Sequence, residues 1–151
     1  MKTEPAVRVV ETLSDLRLTR AALTGTVGVV PTMGYLHAGH ESLMRRSVAE
    51  CENTLVTLFV NPTQFGPKED LSTYPRDFTR DLALCQHAGV GTLYAPPVSE
   101  VYRPGFSTYV SVRDLSVRWE GASRPGHFDG VATVVTKLLI ATRADRAYFG
   151  E

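Results

Sequence analysis

Two histidines three residues apart, His37 and His40, flank Gly39 in the stretch Pro31-Thr32-Met33-Gly34-Tyr35-Leu36-His37-Ala38-Gly39-His40. The stretch follows the apolar run Gly28-Val29-Val30 and precedes a helix-like run from Glu41 to Glu50. The order is therefore strand, glycine-bearing turn, helix. A helix start presents free backbone N–H groups and the positive end of the helix dipole, which together suit an anion. Gly34 and Gly39 let a phosphate chain approach the backbone, and imidazoles at the junction add donors to it. The Gly-Lys-Ser/Thr ending of a Walker loop is missing. Two other readings of the histidines stay open on local chemistry. They could ligate a metal, with His87 or His127 completing the set, although no Cys or carboxylate stands nearby at ligand spacing. They could also be core or surface side chains without a chemical role.

The elements that must hold this turn can be read on either side of it. Ser14 to Leu23 is expected to be a helix, closed by Gly25. Val27 to Val30 is a short apolar strand of the kind buried on both faces of a parallel sheet. Gly39 to Cys51 is expected as a helix, Thr54 to Val60 as a strand ended by Asn61-Pro62, and Asn61 to Arg76 as a loop. Asp77 to Ala88 reads as a helix, Gly91 to Ala95 as a strand stopped by Pro96-Pro97. Further on, Thr108 to Val112 reads as a strand, Asp114 to Glu120 as a short helix, and Gly121 to Gly130 as a polar loop. Val131 to Thr142 is a helix and Arg146 to Phe149 a last strand. This alternation predicts a doubly wound parallel α/β sheet. In such sheets ligands bind beyond the carboxyl ends of the strands. Pro31–His40, Asn61–Arg76 and Gly150-Glu151 all leave such ends, and a chain that stops on one reads as a piece of a longer protein.

Composition narrows the class. The chain has 151 residues, enough for one domain, with 43% hydrophobic and 21% charged residues. Sixteen basic residues balance sixteen acidic ones. That argues against a nucleic-acid partner, which shows as a basic excess. No apolar run approaches the ~20 residues of a membrane span, and the N-terminus lacks the apolar core of a secretory signal. Cys51 and Cys85 form no Cys-x-x-Cys and read as buried thiols in a reducing cytoplasm.

Four stretches, in order, resemble the pantothenate synthetase (pantoate–β-alanine ligase) family. They are Pro31 to His40; Phe59-Val60-Asn61-Pro62-Thr63-Gln64-Phe65-Gly66 with Glu69-Asp70-Leu71 and Tyr74-Pro75-Arg76; Arg124-Pro125-Gly126-His127-Phe128-Asp129-Gly130-Val131; and Tyr148-Phe149-Gly150-Glu151. The His-x-Gly-His core alone is shared with adenylyl- and cytidylyltransferases. The resemblance implies a Rossmann-like sheet of the His-x-Gly-His nucleotidyltransferase type, with residues 1–151 forming an N-terminal ATP- and pantoate-binding domain of a cytoplasmic homodimer. It implies condensation of pantoate with β-alanine through a pantoyl adenylate, with ATP entering together with Mg²⁺ and with AMP and pyrophosphate released. Because the rest of the family fold is absent, impaired activity or none is expected of the chain alone. The alternatives are another His-x-Gly-His nucleotidyltransferase, against which the Asn-Pro-x-Gln-Phe loop speaks, or a catalytically inert domain.

By the same resemblance His37 and His40 are the catalytic residues. Pro31, Thr32, Met33, Gly34, Gly39, Gly150 and Glu151 join them around ATP, and Met33, Asn61, Gln64 and Arg124 bind pantoate. No metal-ligating side chain is implied. A general base is not needed, because the nucleophile is a carboxylate already ionised at neutral pH. Gln64 suits pantoate because an amide bonds both hydroxyl and carboxylate groups. Thr63 departs from the family, many of whose members carry Met there. Tyr74 and Arg76 are either pocket wall or surface loop, Arg124 either a ligand contact or a structural ion pair, and His127 is read as structural.

Overall fold

The structure is a computed structural model that describes residues 5–65, 71–114 and 126–150. Five strands form one parallel sheet: β1 (Arg8–Val10), β2 (Val27–Thr32), β3 (Asn53–Leu58), β4 (Thr92–Tyr94) and β5 (Arg146–Ala147), in the spatial order β1-β4-β3-β2-β5. The helices are α1 (Leu13–Ala22), α2 (Ala38–Glu50), α3 (Phe78–Ala88), the single turn α4 (Val98–Val101) and α5 (His127–Thr142). Two short 3₁₀ turns, Pro62–Gln64 and Leu71–Thr73, lie in the loop after β3.

Alternation along the strands divides the core into two layers. Val27, Val29, Leu55 and Tyr94 turn to the face that carries Leu16 of α1 and Val134 and Leu138 of α5. Val30, Val56 and Leu93 turn to the other, against Met44 of α2 and Cys85 and Ala88 of α3. Burial pushes the Cys85 thiol up to about 12, so it packs as a neutral hydrophobe. Cys51 is buried as well.

From β2 the chain steps to β3 and then β4 in one direction. It then crosses back to β5 on the far side of β2. The order of strands thus reverses beside β2, and a crevice must open at its carboxyl end. That is where the Met33–His40 turn sits.

Several expectations are corrected. Thr108 to Val112 is not a strand: the Val110 N–H bonds Thr133 Oγ1 at 2.9 Å, and the Thr133 hydroxyl donates to the Val110 carbonyl at 3.3 Å. A helix side chain thus satisfies that backbone in place of a neighbouring strand. The helix expected from Val131 begins at His127, after Gly126 in the left-handed region at φ 79°. Gly130 belongs inside it for a steric reason, since a Cβ there would lie 2.7 Å from the Thr63 carbonyl oxygen. β2 runs on through Pro31 to Thr32, where Pro31 has no N–H to offer β5, and β5 ends at Ala147. β1 and α4 were not expected: β1 is a largely exposed edge strand of three residues, and α4 follows directly on the breaker Pro96-Pro97. Most of the expected helix Asp114–Glu120 and the start of the loop Gly121–Gly130 lie outside the described residues.

Candidate active site

The turn after β2 is built by two consecutive left-handed residues, Gly34 at φ 81° and Tyr35 at φ 50°. Glycine is required at the first. A Cβ there would press Leu58 at 3.1 Å and the Asp81 carboxylate at 3.2 Å, in a conformation already costly for an L-residue. Tyr35 accepts the strain because its backbone is held. The Tyr35 N–H donates to Asp81 Oδ2 at 2.8 Å and the Leu36 N–H to Asp81 Oδ1 at 2.7 Å. The Thr32 hydroxyl donates to the Thr57 carbonyl and accepts from the Gly34 N–H, which ties the turn to β3.

His37 then caps α2. Its Nδ1 accepts the Gly39 N–H at 3.1 Å, and His40 Nδ1 accepts the His37 N–H at 3.2 Å. The two imidazoles replace the Ser/Thr and Glu/Gln of an ordinary capping box. An Nδ1 that accepts is unprotonated, so each neutral ring carries its proton on Nε2. Both histidines are thereby fixed as Nε2–H donors at a helix N-terminus. The rings lie 4.0 Å apart between centroids. Burial, and then the neighbouring His37, hold His40 below the ordinary imidazole range, against an upward pull from Asp81. His40 is thus tuned towards the neutral donor form.

The turn after β3 supplies a second wall. Asn61 is fully buried and hydrogen-bonded on both sides of its amide. Its Nδ2 donates to Gln64 Oε1 and to the Gly130 carbonyl, each at 3.0 Å. Its Oδ1 accepts from the Tyr102 hydroxyl at 2.8 Å and from the Thr63 N–H and hydroxyl. Gln64 Nε2 reaches Met33 Sδ at 3.7 Å, which links the two turns. His127 Nδ1 lies 3.1 Å from the Gln64 carbonyl oxygen.

Between these turns lies a cleft of about 490 Å³. Pro31, Thr32, Met33, Gly34, His37, His40 and Gln64 all line it, together with Tyr74. Asn61 stands behind Gln64 and does not itself line the cleft, nor does Gly39, whose N–H is taken by His37. Gly150 is exposed just past β5, and Arg76 lines a neighbouring depression with Pro75 and Asp77. Arg124 and Glu151 lie outside the described residues.

Some contributors carried little signal in the sequence. Asp81 is one of several charges in the first half of a predicted helix, and only the fold turns it inward. Tyr102 stands five residues past Pro97 and matches no pattern. The apolar wall of Val131, Val134, Val135 and Leu138 comes from α5, and Phe149 completes it. Among the described residues no group of three or more His, Cys, Asp or Glu comes together as a metal site. Nor is any helix among them long and apolar enough to cross a membrane.

The geometry can now be set beside known proteins. The family model for pantoate-beta-alanine ligase matches residues 7–151. The chain belongs to this family. A pantothenate synthetase from Roseiflexus sp. (strain RS-1) is 58% identical over 145 residues, covering 96% of this chain and 52% of that protein. The crystal structure of the pantothenate synthetase from Thermus thermophilus superposes with a TM-score of 0.91 at 54% identity, over 96% of this chain and 52% of that one. The Francisella tularensis pantoate-beta-alanine ligase, solved in complex with beta-gamma ATP and beta-alanine, superposes with a TM-score of 0.89 at 35% identity, over 94% and 56% of the two chains. This chain thus spans about half the length of the curated relatives it matches.

Proposed function

We propose that residues 1–151 are the N-terminal ATP- and pantoate-binding domain of an AMP-forming ligase that joins pantoate to β-alanine. The observation that carries this reading is the convergence of His37, His40, Met33 and Gln64 on one cleft at the reversal of strand order.

In the first half-reaction a pantoate carboxylate oxygen attacks the α-phosphorus of ATP. The new O–P bond gives the pantoyl adenylate, and the bond to pyrophosphate breaks. In the second, the neutral amine of β-alanine attacks the acyl carbon, AMP leaves with the electrons of the acyl–oxygen bond, and the nitrogen gives up a proton to solvent as the amide forms. The first step brings two anions together, so the site must offset charge and fix the line of attack. The N-terminus of α2 and the Nε2–H groups of His37 and His40 suit the phosphates. Gln64, held by Asn61 on one side and Met33 on the other, suits the hydroxyls and carboxylate of pantoate. The α5 wall covers the apolar part of the substrate.

Mg²⁺ would enter with ATP, held by phosphates and water, since the described residues lining the cleft include no carboxylate. A homodimer and a cytoplasmic location belong to the same reading; the two buried free thiols support the second.

Pantoate-dependent ATP–pyrophosphate exchange tests this, run on the chain and on a form continued to the relatives' full length. Exchange in the longer form alone supports the ligase and assigns completion of the site to the added half. Exchange in both means that the His37/His40 turn and the Gln64 loop suffice for adenylation. Absence of pantoate-dependent exchange in both overturns the reading in favour of another nucleotidyltransferase.

A further inference from the structure

Asp81 is the one charged side chain among the described residues that is buried, at 1% exposure. It lies on α3, outside the four stretches that carry the family resemblance. A carboxylate is costly to bury, so its partners explain its presence. Both oxygens are spent on the turn after β2, one on the Tyr35 N–H and one on the Leu36 N–H. The preceding residue on the same helix, Arg80, lies over the Tyr35 ring at 5.4 Å. The first turn of α3 therefore grips Tyr35 by its backbone and by its ring.

We propose that Asp81 is a positioning residue for the two nucleotide-facing histidines: from α3 it locks the Gly34–Leu36 turn in its left-handed form, and with it the direction in which both imidazoles point. This deepens the ligase reading and rests on it for the catalytic consequence. Glycine bears the left-handed form at Gly34 without strain, but Tyr35 in the same region is costly unless the surroundings hold it. Two charge-assisted hydrogen bonds from one carboxylate supply that hold. The turn ends at His37, so its shape decides where both imidazoles point. Among the described residues, the groups facing His40 are few. From its own helix there is His37, and from α3 there is Asp81. Tyr74 comes from the loop after β3, and α5 presents only Val131, Val134, Val135 and Leu138. The downward influences on His40 are burial and His37; Asp81 opposes them.

The test begins with ¹⁵N-histidine NMR titration of the chain in wild-type, Asp81→Asn and Cys85→Ala forms. Asparagine keeps the shape but loses the charge, and turns one acceptor into a donor facing an N–H. Cys85→Ala disturbs the same helix and core without touching the carboxylate. The expected result is that the His40 midpoint moves to lower pH in Asp81→Asn, that His37 moves less, and that Cys85→Ala moves neither. An unchanged His40 midpoint in Asp81→Asn overturns the proposal. Should Asp81→Asn not fold, the wild-type chain decides. The Asp81 carboxyl ¹³C resonance then shows an inflection at the His40 midpoint, and a flat trace there overturns the coupling. A kinetic arm uses the full-length form. Asp81→Asn is expected to lower kcat of pantoate-dependent exchange about tenfold or more while the KM for pantoate holds. A rise in that KM with kcat unchanged would assign Asp81 to the other wall of the cleft and overturn its role behind the histidines. Wild-type full-length protein without exchange would remove the ligase reading and leave the NMR result to judge Asp81 alone.

Discussion

The turns leaving β2 and β3 stand side by side at the carboxyl edge of the sheet, yet they are held by opposite means. The first is gripped from α3 by a buried carboxylate and closed by two imidazoles that cap α2. The second is held by neutral hydrogen bonds that radiate from the Asn61 amide to Tyr102, Thr63, Gln64 and Gly130. The first collects donors at a helix N-terminus, an arrangement that suits an anion. The second offers an amide whose donor and acceptor are both aligned, which suits a hydroxy acid. Substitutions on the first turn should therefore cost turnover, and substitutions on the second should cost stability or pantoate affinity.

The largest effect is expected at His40. In the full-length form, His40→Ala should lower adenylate formation about 10² to 10³-fold, the range typical of losing one donor that stabilises developing charge. Single-turnover formation of the pantoyl adenylate measures it. Unchanged turnover would take His40 out of the chemistry and leave it as a helix cap.

Asn61→Ala comes next, and its effect should fall on the fold. The Tyr102 hydroxyl and the Gly130 carbonyl would lose their Asn61 partner in a buried place. A cost of about 2 to 3 kcal/mol is expected for a network of this kind. Urea unfolding of the chain reads it directly. A loss within the noise would mean that the loop after β3 stands without its central amide.

Gln64→Ala tests the same wall with the scaffold left standing. The pantoate KM should rise about tenfold, the equivalent of one lost neutral hydrogen-bonding group, with the ATP KM little changed. Equal losses for both substrates would erase the division of labour between the two turns.

How far this division could be read beforehand depends on where each part is encoded. The β2 turn was legible because its chemistry is local: Gly34, His37, Gly39 and His40 follow one another, and strand and helix signals flank them. The parallel sheet was legible because Val27–Val30 and Thr54–Val60 are short, largely apolar runs. The supports were not legible, because they are contacts across the fold. Asp81 meets Leu36 across 45 positions and Tyr102 meets Asn61 across 41. No local pattern marks either. β1 failed for a related reason: a three-residue exposed edge strand has no periodicity of its own and is defined by its pairing with β4. The start of α5 was misplaced because Gly126 and Gly130 look like loop residues. Gly130 is in fact a helix position that the Thr63 carbonyl closes to any side chain.

The smallest effect separates the two turns by pH. His40 is held below its ordinary value, first by burial and then by His37. Above the ordinary imidazole value of about 6.5 the ring is neutral in both folded and unfolded chains, and it contributes nothing to pH dependence. As pH falls through that value the unfolded chain takes up the proton first. The folded state then loses stability progressively, until pH passes below the depressed folded value. Protonation also forces an N–H onto Nδ1, where the His37 N–H now points, so the cap must open for the ring to charge. Among the described residues, the Asn61 amide has no imidazole or carboxylate as a hydrogen-bonded partner. Melting temperatures of wild-type and His40→Asn chains from pH 7.5 to 5 should therefore diverge, the wild type falling further on acidification. The Asn61→Ala chain, melting lower throughout, should keep the wild-type slope. Parallel wild-type and His40→Asn profiles would show that acid reaches this fold through other groups and that the cap plays no part in the response.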